Sequence, residues 1–461
     1  MKNETALEKL RSFLEKGIFG FSYESICFMA IFIFRVVWNY FITLFIEENN
    51  RQVRFYDRVS IAINVVFFVL LVLRLILWLT DRNRKKPELC TILITAYAGL
   101  AALSSLLNYG FRALFERNMF VNLLEVAMVT LFMFHTARTL KEEKVHHVLS
   151  ICGMAVFVIV AVLETASLIM YFSPEDASIN IFGTVYTRQD MFEPALPGHL
   201  LPYYFGGIGK VFGSVTFHAA LASMLGFYLM DRKILPSWLA MLHYVMTLVL
   251  IILGNARMPL INTIVTGLFA VVYFLRKANK DVKKILKIWA GIAGAAVLAV
   301  IILKWNRVSM ILSMFLSDPA ETLNILTSGR FVHFIESAQL ANQSPLYGKG
   351  WICQIGNLRN AHNIFANALA YTGYTGLVLL AAFFVSAFRL AAKNRERISQ
   401  NLFLLCIVVC VFIHANLDKA ILGETGNAET YLFWYILGYF CFGPMNSLLS
   451  SRMPDMTEAG K

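Results

Sequence analysis

VLSICGMAVFVIVAVLETASLIMY, residues 148–171, is the stretch that decides the fold, because it holds one charged side chain, Glu164, in an otherwise apolar run. As a helix it spans the ~30 Å hydrocarbon core of a bilayer. In lipid each backbone N–H and C=O must be satisfied within the chain, which leaves helices as the form such a run takes. Comparable runs lie near 18–46, 59–80, 89–107, 119–139, 213–230, 237–255, 258–275, 285–303, 362–388, 399–416 and 430–447. The whole chain is 58% hydrophobic and 15% charged, with a mean hydropathy of +0.63. The sequence therefore predicts an all-α integral membrane protein of about twelve transmembrane helices, forming a single polytopic domain over 1–461.

Lys and Arg in short loops set the orientation. With both termini cytoplasmic, the inner segments hold roughly 25 of the 41 basic residues, including Arg82, Arg84, Lys85 and Lys86, the cluster Arg276 to Lys287, and Arg389 to Arg397. Inner-face cations beside anionic lipid account for the formal charge of +12 without any nucleic-acid partner. His146 and His147 fall on this inner side and carry no ligand spacing. Of seven cysteines, only Cys353 falls outside the apolar runs, so no outer disulfide is expected and no Cys-x-x-Cys marks a metal site. The first seventeen residues lack the pattern of a cleavable signal peptide, and insertion is expected to begin with the first span.

Two outer segments are too long for simple connections, 173–212 and 304–361. Their aromatic residues favour packed, partly interfacial structure over disorder. In the second, Arg330 precedes Phe331, Phe334, Ile335 and Ala338 at helical spacing, which predicts a short amphipathic helix on the membrane with Arg330 in its first turn. A guanidinium there offers a planar bidentate fork to phosphate oxygens. Arg257 sits in the turn Gly254 to Pro259 between two apolar runs, a costly position unless it meets a polar cavity or partner. His362 opens the tenth run, with Asn363 beside it and Asn367 one turn on. The positive end of a helix dipole favours the uncharged imidazole, which suits a general base. Lys210, and Lys349 within Gly348-Lys349-Gly350-Trp351, are further candidates for an anion. Arg35, Glu125 and Glu164 lie within apolar runs and require partners, either as structural ion pairs or in a substrate groove.

The outer loops hold no Asp-x-Asp for a metal-bound nucleotide diphosphate, no His-Glu-x-x-His helix and no Gly-x-Ser-x-Gly turn, so neither a metal nor a cofactor is expected. Arginines at an outer membrane mouth suit a lipid-linked phosphate or pyrophosphate instead. A transporter of lipid-linked oligosaccharide would share the hydropathy and charge, although such folds tend to show repeated halves, and none is visible here.

Arg257, Ser328-Gly329-Arg330, the Pro345 to Trp351 turn and His362-Asn363 leading into Leu369 to Leu377 together resemble the O-antigen ligase and O-antigen polymerase family of bacterial polysaccharide assembly. The resemblance is strongest over 250–390. Lys210 to Gly213, before His218, is similar to the family's upstream Arg-x-x-Gly stretch, but with lysine for arginine and without the usual Pro-Asn pair; Glu429 to Tyr439 resembles its closing span. The resemblance implies a GT-C-like, metal-independent, inverting glycosyltransferase of the bacterial inner membrane, with its active site outside the cytoplasm. Its substrate would be an undecaprenyl-pyrophosphate-linked glycan, with membrane lipid and a chain-length regulator as further partners. Carried onto this chain, Arg257 and Arg330 bind pyrophosphate, Lys210 and Lys349 assist, His362 takes the acceptor proton, and Asn363, Gly348, Gly350 and Trp351 support the site. Both polymerase and ligase activities fit these motifs; polymerisation of lipid-linked repeat units is the favoured reading, with ligation to lipid A core or protein as the alternative.

Overall fold

The computed structural model describes most of residues 9–442; the main stretches outside the description are 46–49, 81–85, 114–122, 133–141, 194–202, 205–213, 254–256, 278–308, 320–329, 357–360 and 423–427, together with both ends. In chain order the helices are α1 (Tyr23–Phe45), α2 (Asn50–Thr80), α3 (Leu89–Ala113), α4 (Glu142–Phe172), α5 (Ser214–Asp231), α6 (Ser237–Leu253), α7 (Arg257–Lys277), α8 (Arg330–Gln343), α9 (Ile364–Lys393), α10 (Arg395–Gln400), α11 (Leu402–Leu417) and α12 (Ala428–Phe442). Five of them, within α2, α3, α4, α7 and α9, are long and apolar enough to cross a membrane, while α6 and α11 are shorter apolar helices. Between α4 and α5 the connecting segment adds what hydropathy did not indicate, two antiparallel strand pairs. Ser178–Ile181 pairs with Thr184–Thr187, and Phe192–Glu193 pairs with Tyr203–Tyr204.

The bundle is built around α12, whose residues Ala428 to Cys441 are buried on every side, and α5, buried from His218 to Met230. A helix apolar all round belongs in the centre of a large bundle. Lipid is as apolar as leucine, so close packing rather than escape from water holds such helices together. Rings supply much of that packing. Phe28 stacks on Tyr435 at 4.4 Å, and Phe384, Phe412, Phe433 and Trp434 interlock between α9, α11 and α12.

One cluster of polar side chains inside the bundle is paired across helices. Glu164 of α4 accepts from Thr247 Oγ1 of α6 at 2.7 Å, and its other oxygen lies 3.3 Å from His243 Nε2. Ser223 of α5 bonds His243 Nδ1 at 3.0 Å and donates to Thr247 at 2.9 Å. Glu164 therefore serves as part of a clip between α4, α5 and α6. Arg35 is buried in α1, and Glu125 lies outside the described residues. All seven cysteines are free thiols.

Candidate active site at the C-terminal end of α11

The apolar run that opens with His362 is not one straight helix. Gly373 has φ 67° and ψ −168° inside α9. Phe365 and Phe384 are 19 positions apart, which a straight helix would stretch to about 28 Å, yet their rings are 5.9 Å apart. The chain thus reverses at Gly373, and residues 364–372 form a half-helix that folds back against residues 374–393. The half-helix is buried almost throughout.

The Pro345 to Trp351 turn makes this reversal possible. Lys349 N–H donates to Ala370 O at 2.9 Å, Gly350 N–H to Tyr371 O at 3.0 Å, and Tyr374 N–H to Pro345 O at 2.8 Å, which satisfies backbone groups that a continuous helix would have paired. Ser104 of α3 adds a bond to Tyr371 O, and Trp351 N–H donates to Ser105 Oγ. A Cβ on Gly348 would stand 2.5 Å from the backbone of Thr372 and Gly373, and one on Gly373 would stand 2.5 Å from Pro345 O. The two glycines are therefore required by the close approach of two backbones. Since the amides of Lys349 and Gly350 are spent on α9, only the half-buried Lys349 side chain is left to meet an anion. Trp351 is a buried brace, its ring 5.2 Å from that of Tyr371.

At its N-terminal end the half-helix is clamped from both sides. Asn363 caps it by accepting from Phe365 N and Ala366 N at 2.9 Å, and its Nδ2 donates to Asn416 O of α11 at 2.7 Å. Asn367 Oδ1 accepts from Ala361 N–H at 2.7 Å. His362, between these ties, is half-buried and adopts φ +54°. A left-handed backbone in a residue with a Cβ costs on the order of 1–3 kcal/mol and persists where surrounding bonds over-determine it.

Asn416 marks the C-terminal end of α11, and other helices bring their first turns to the same level. Cys406 and Cys410 of α11 bond Thr266 Oγ1 and Asn262 O of α7, an antiparallel register that sets Met258 opposite His414. Phe227 of α5 stacks on Phe403 at 5.3 Å and Arg232 reaches Asn401, so α5 also runs antiparallel to α11 and its His218 lies near the level of Phe412. Tyr439 and Phe433 of α12 meet Asn401 and Phe412 in the same sense. Among the described residues, four helix N-termini thus surround one helix C-terminus: those of α5, α7, the half-helix and α12. Helix N-termini present partial positive charge and favour anions.

Arg257 opens α7 in this ring, though its side chain lies outside the described residues, as does Lys210 altogether. Arg330 is the first residue of α8, as its spacing predicts, and α8 packs against α9. Phe334 and Ile335 point away from the protein, whereas Ser337 and Ala341 are buried. Two features escaped the sequence reading. His218 Nε2 stands 3.7 Å from Glu429 Oε2 in the first turn of α12, both buried, and His414 is buried in the last turn of α11. The 211 positions between His218 and Glu429 leave no local signal of their pairing. Compared with known proteins, the chain matches no family model and no curated protein.

Proposed function

We propose that the chain is a membrane glycosyltransferase that polymerises undecaprenyl-pyrophosphate-linked repeat units into a bacterial surface polysaccharide. The reading takes the bundle to cross the inner membrane about twelve times, with both termini cytoplasmic. Arg232, Lys277, Lys393, Arg395 and Arg397 gather at the N-terminal end of α11, which by the positive-inside rule faces the cytoplasm. The ring around Asn416 then opens outward.

The observation that carries the proposal is the strained, half-buried His362 held where helix N-termini converge. In the proposed step the acceptor hydroxyl oxygen attacks the anomeric carbon, and the carbon–oxygen bond to pyrophosphate breaks. The departing electron pair goes to the pyrophosphate oxygen, and the hydroxyl proton to the imidazole of His362. Arg257, Arg330 and the surrounding N-termini would stabilise the charge as it develops on the leaving group. His218 and Glu429 lie in the same ring and supply a second acid–base pair.

Ligation of the glycan to lipid A core or protein uses the same chemistry with another acceptor. A transporter reading also has an observation in its favour, since broken helices with N-termini aimed at an anionic substrate occur in transporters. Purified protein given a single lipid-linked repeat separates the three. A polymerase yields a ladder with no second acceptor, a ligase yields product only when one is added, and a transporter moves the repeat across vesicles unchanged.

A further inference from the structure

A cavity of about 690 Å³ opens at the opposite end of the bundle, between the first turns of α4 and the turn joining α5 to α6. Its character changes along its length. Glu143, His146 and His147 line one part together with Arg232, while Ile151, Met154, Ala155 and Ile234 line the other. From Glu143 to Ala155, α4 rises by about 18 Å, whereas a headgroup layer is roughly 5–7 Å thick. A small anion would use only the polar part. A phosphate that carries an acyl chain matches both.

Arg232 supplies the charge. Its Nη2 donates to His146 Nε2 at 2.8 Å and to Asn401 Oδ1. Because a guanidinium only donates, His146 Nε2 accepts, which leaves the imidazole proton on Nδ1, 3.0 Å from Tyr228 Oη. Nε of Arg232 is buried without a hydrogen bond among the described residues. Arg232 as a whole is half-buried and lines the cavity, so its positive charge stands at the cavity wall although Nε itself is enclosed by protein. Nearby acids do not cancel this charge. Asp231 is bound by Lys277 at 3.0 Å, and Glu143 is exposed, where solvent screens it.

We propose that this cavity binds one anionic phospholipid, with its phosphate at Arg232 and an acyl chain along Ile151, Met154, Ala155 and Ile234. The site is independent of glycan transfer. Native mass spectrometry of the full-length protein, titrated separately with phosphatidylglycerol, phosphatidylcholine and inorganic phosphate, tests it. One phosphatidylglycerol is expected to be retained at least tenfold more tightly than phosphatidylcholine, with no retention of inorganic phosphate. Ala155→Trp fills the apolar part, and Ile234→Glu sets a carboxylate at a position already 46% exposed; each is expected to lower retention at least tenfold. Equal retention of the two lipids, retention of inorganic phosphate as tight as that of lipid, or unchanged binding by both folded variants overturns the proposal.

Discussion

Lys233 and His362 are the two non-glycine residues with a left-handed backbone among the described residues, and they sit at opposite ends of the bundle. At Lys233 the cause is local. Ile234 N–H bonds Leu229 O and Lys233 N–H bonds Met230 O, the hydrogen-bond pattern that ends a helix with a left-handed residue where glycine is usual. At His362 the ties seen among the described residues run to its flanking residues and to another helix. The strain is imposed by Asn363, tied to α11, and by Asn367, tied to Ala361. The same backbone conformation is a by-product of helix termination at one end. At the other it fixes an imidazole within a ring of helix N-termini.

Substitutions sharpen that contrast, beginning with the largest expected loss. Gly373→Ala places a Cβ against Pro345 O in a left-handed residue, so the half-helix cannot fold back. A loss of about 3 kcal/mol or more follows, read as lower yield and melting temperature in detergent. Arg232→Gln breaks a bridge joining α4, α5 and α11 and should cost about 2–3 kcal/mol by the same assay. At the two strained positions glycine is predicted to stabilise by about 0.5–1 kcal/mol. Lys233→Gly should do so with glycan transfer intact, whereas His362→Gly should do so with transfer lost. Loss of stability at His362→Gly would show that its backbone is not strained. The smallest effect concerns Cys353, whose thiol burial pushes up to about 12, against a partial opposing pull from the Lys349 ammonium. Its thiolate should be about a thousandfold scarcer at pH 8 than that of a free cysteine with the ordinary value of 9.0. Maleimide labelling should therefore be slow in the folded protein and rise above pH 9. By the same shift, folding stability should fall as the pH passes 9, because the unfolded chain loses this proton first.

The helices long enough to cross a membrane, within α2, α3, α4, α7 and α9, were legible because each needs only a local apolar run, and the start of α8 at Arg330 followed from helical spacing; of the other expected runs, 285–303 and part of 119–139 lie outside the described residues. The reversal within α9 was not, since residues 362–388 read as one hydrophobic stretch and a glycine inside a helical pattern is usually tolerated. Only the contact of Gly373 with Pro345 and Gly348, distant in sequence, gives that glycine its meaning. For the same reason Gly348-Lys349-Gly350 reads as an anion loop in sequence, yet its Gly348 amide bonds Ser344 O and its Lys349 and Gly350 amides bond carbonyls of α9. His362 and Asn363 stood out through their position at the opening of a run. His218 and Glu429 entered the sequence reading only as landmarks of the resemblance and His414 not at all, because it is register between distant helices that pairs the first two and sets the third near their level.

The most direct test of the account compares His362→Ala and Arg330→Ala with the unaltered protein in lipid nanodiscs supplied with one lipid-linked repeat unit. The account predicts a product ladder from the unaltered protein, and at least a hundredfold less product from either variant although both remain folded and membrane-bound. Ladders of normal length and yield from the His362→Ala protein would contradict it.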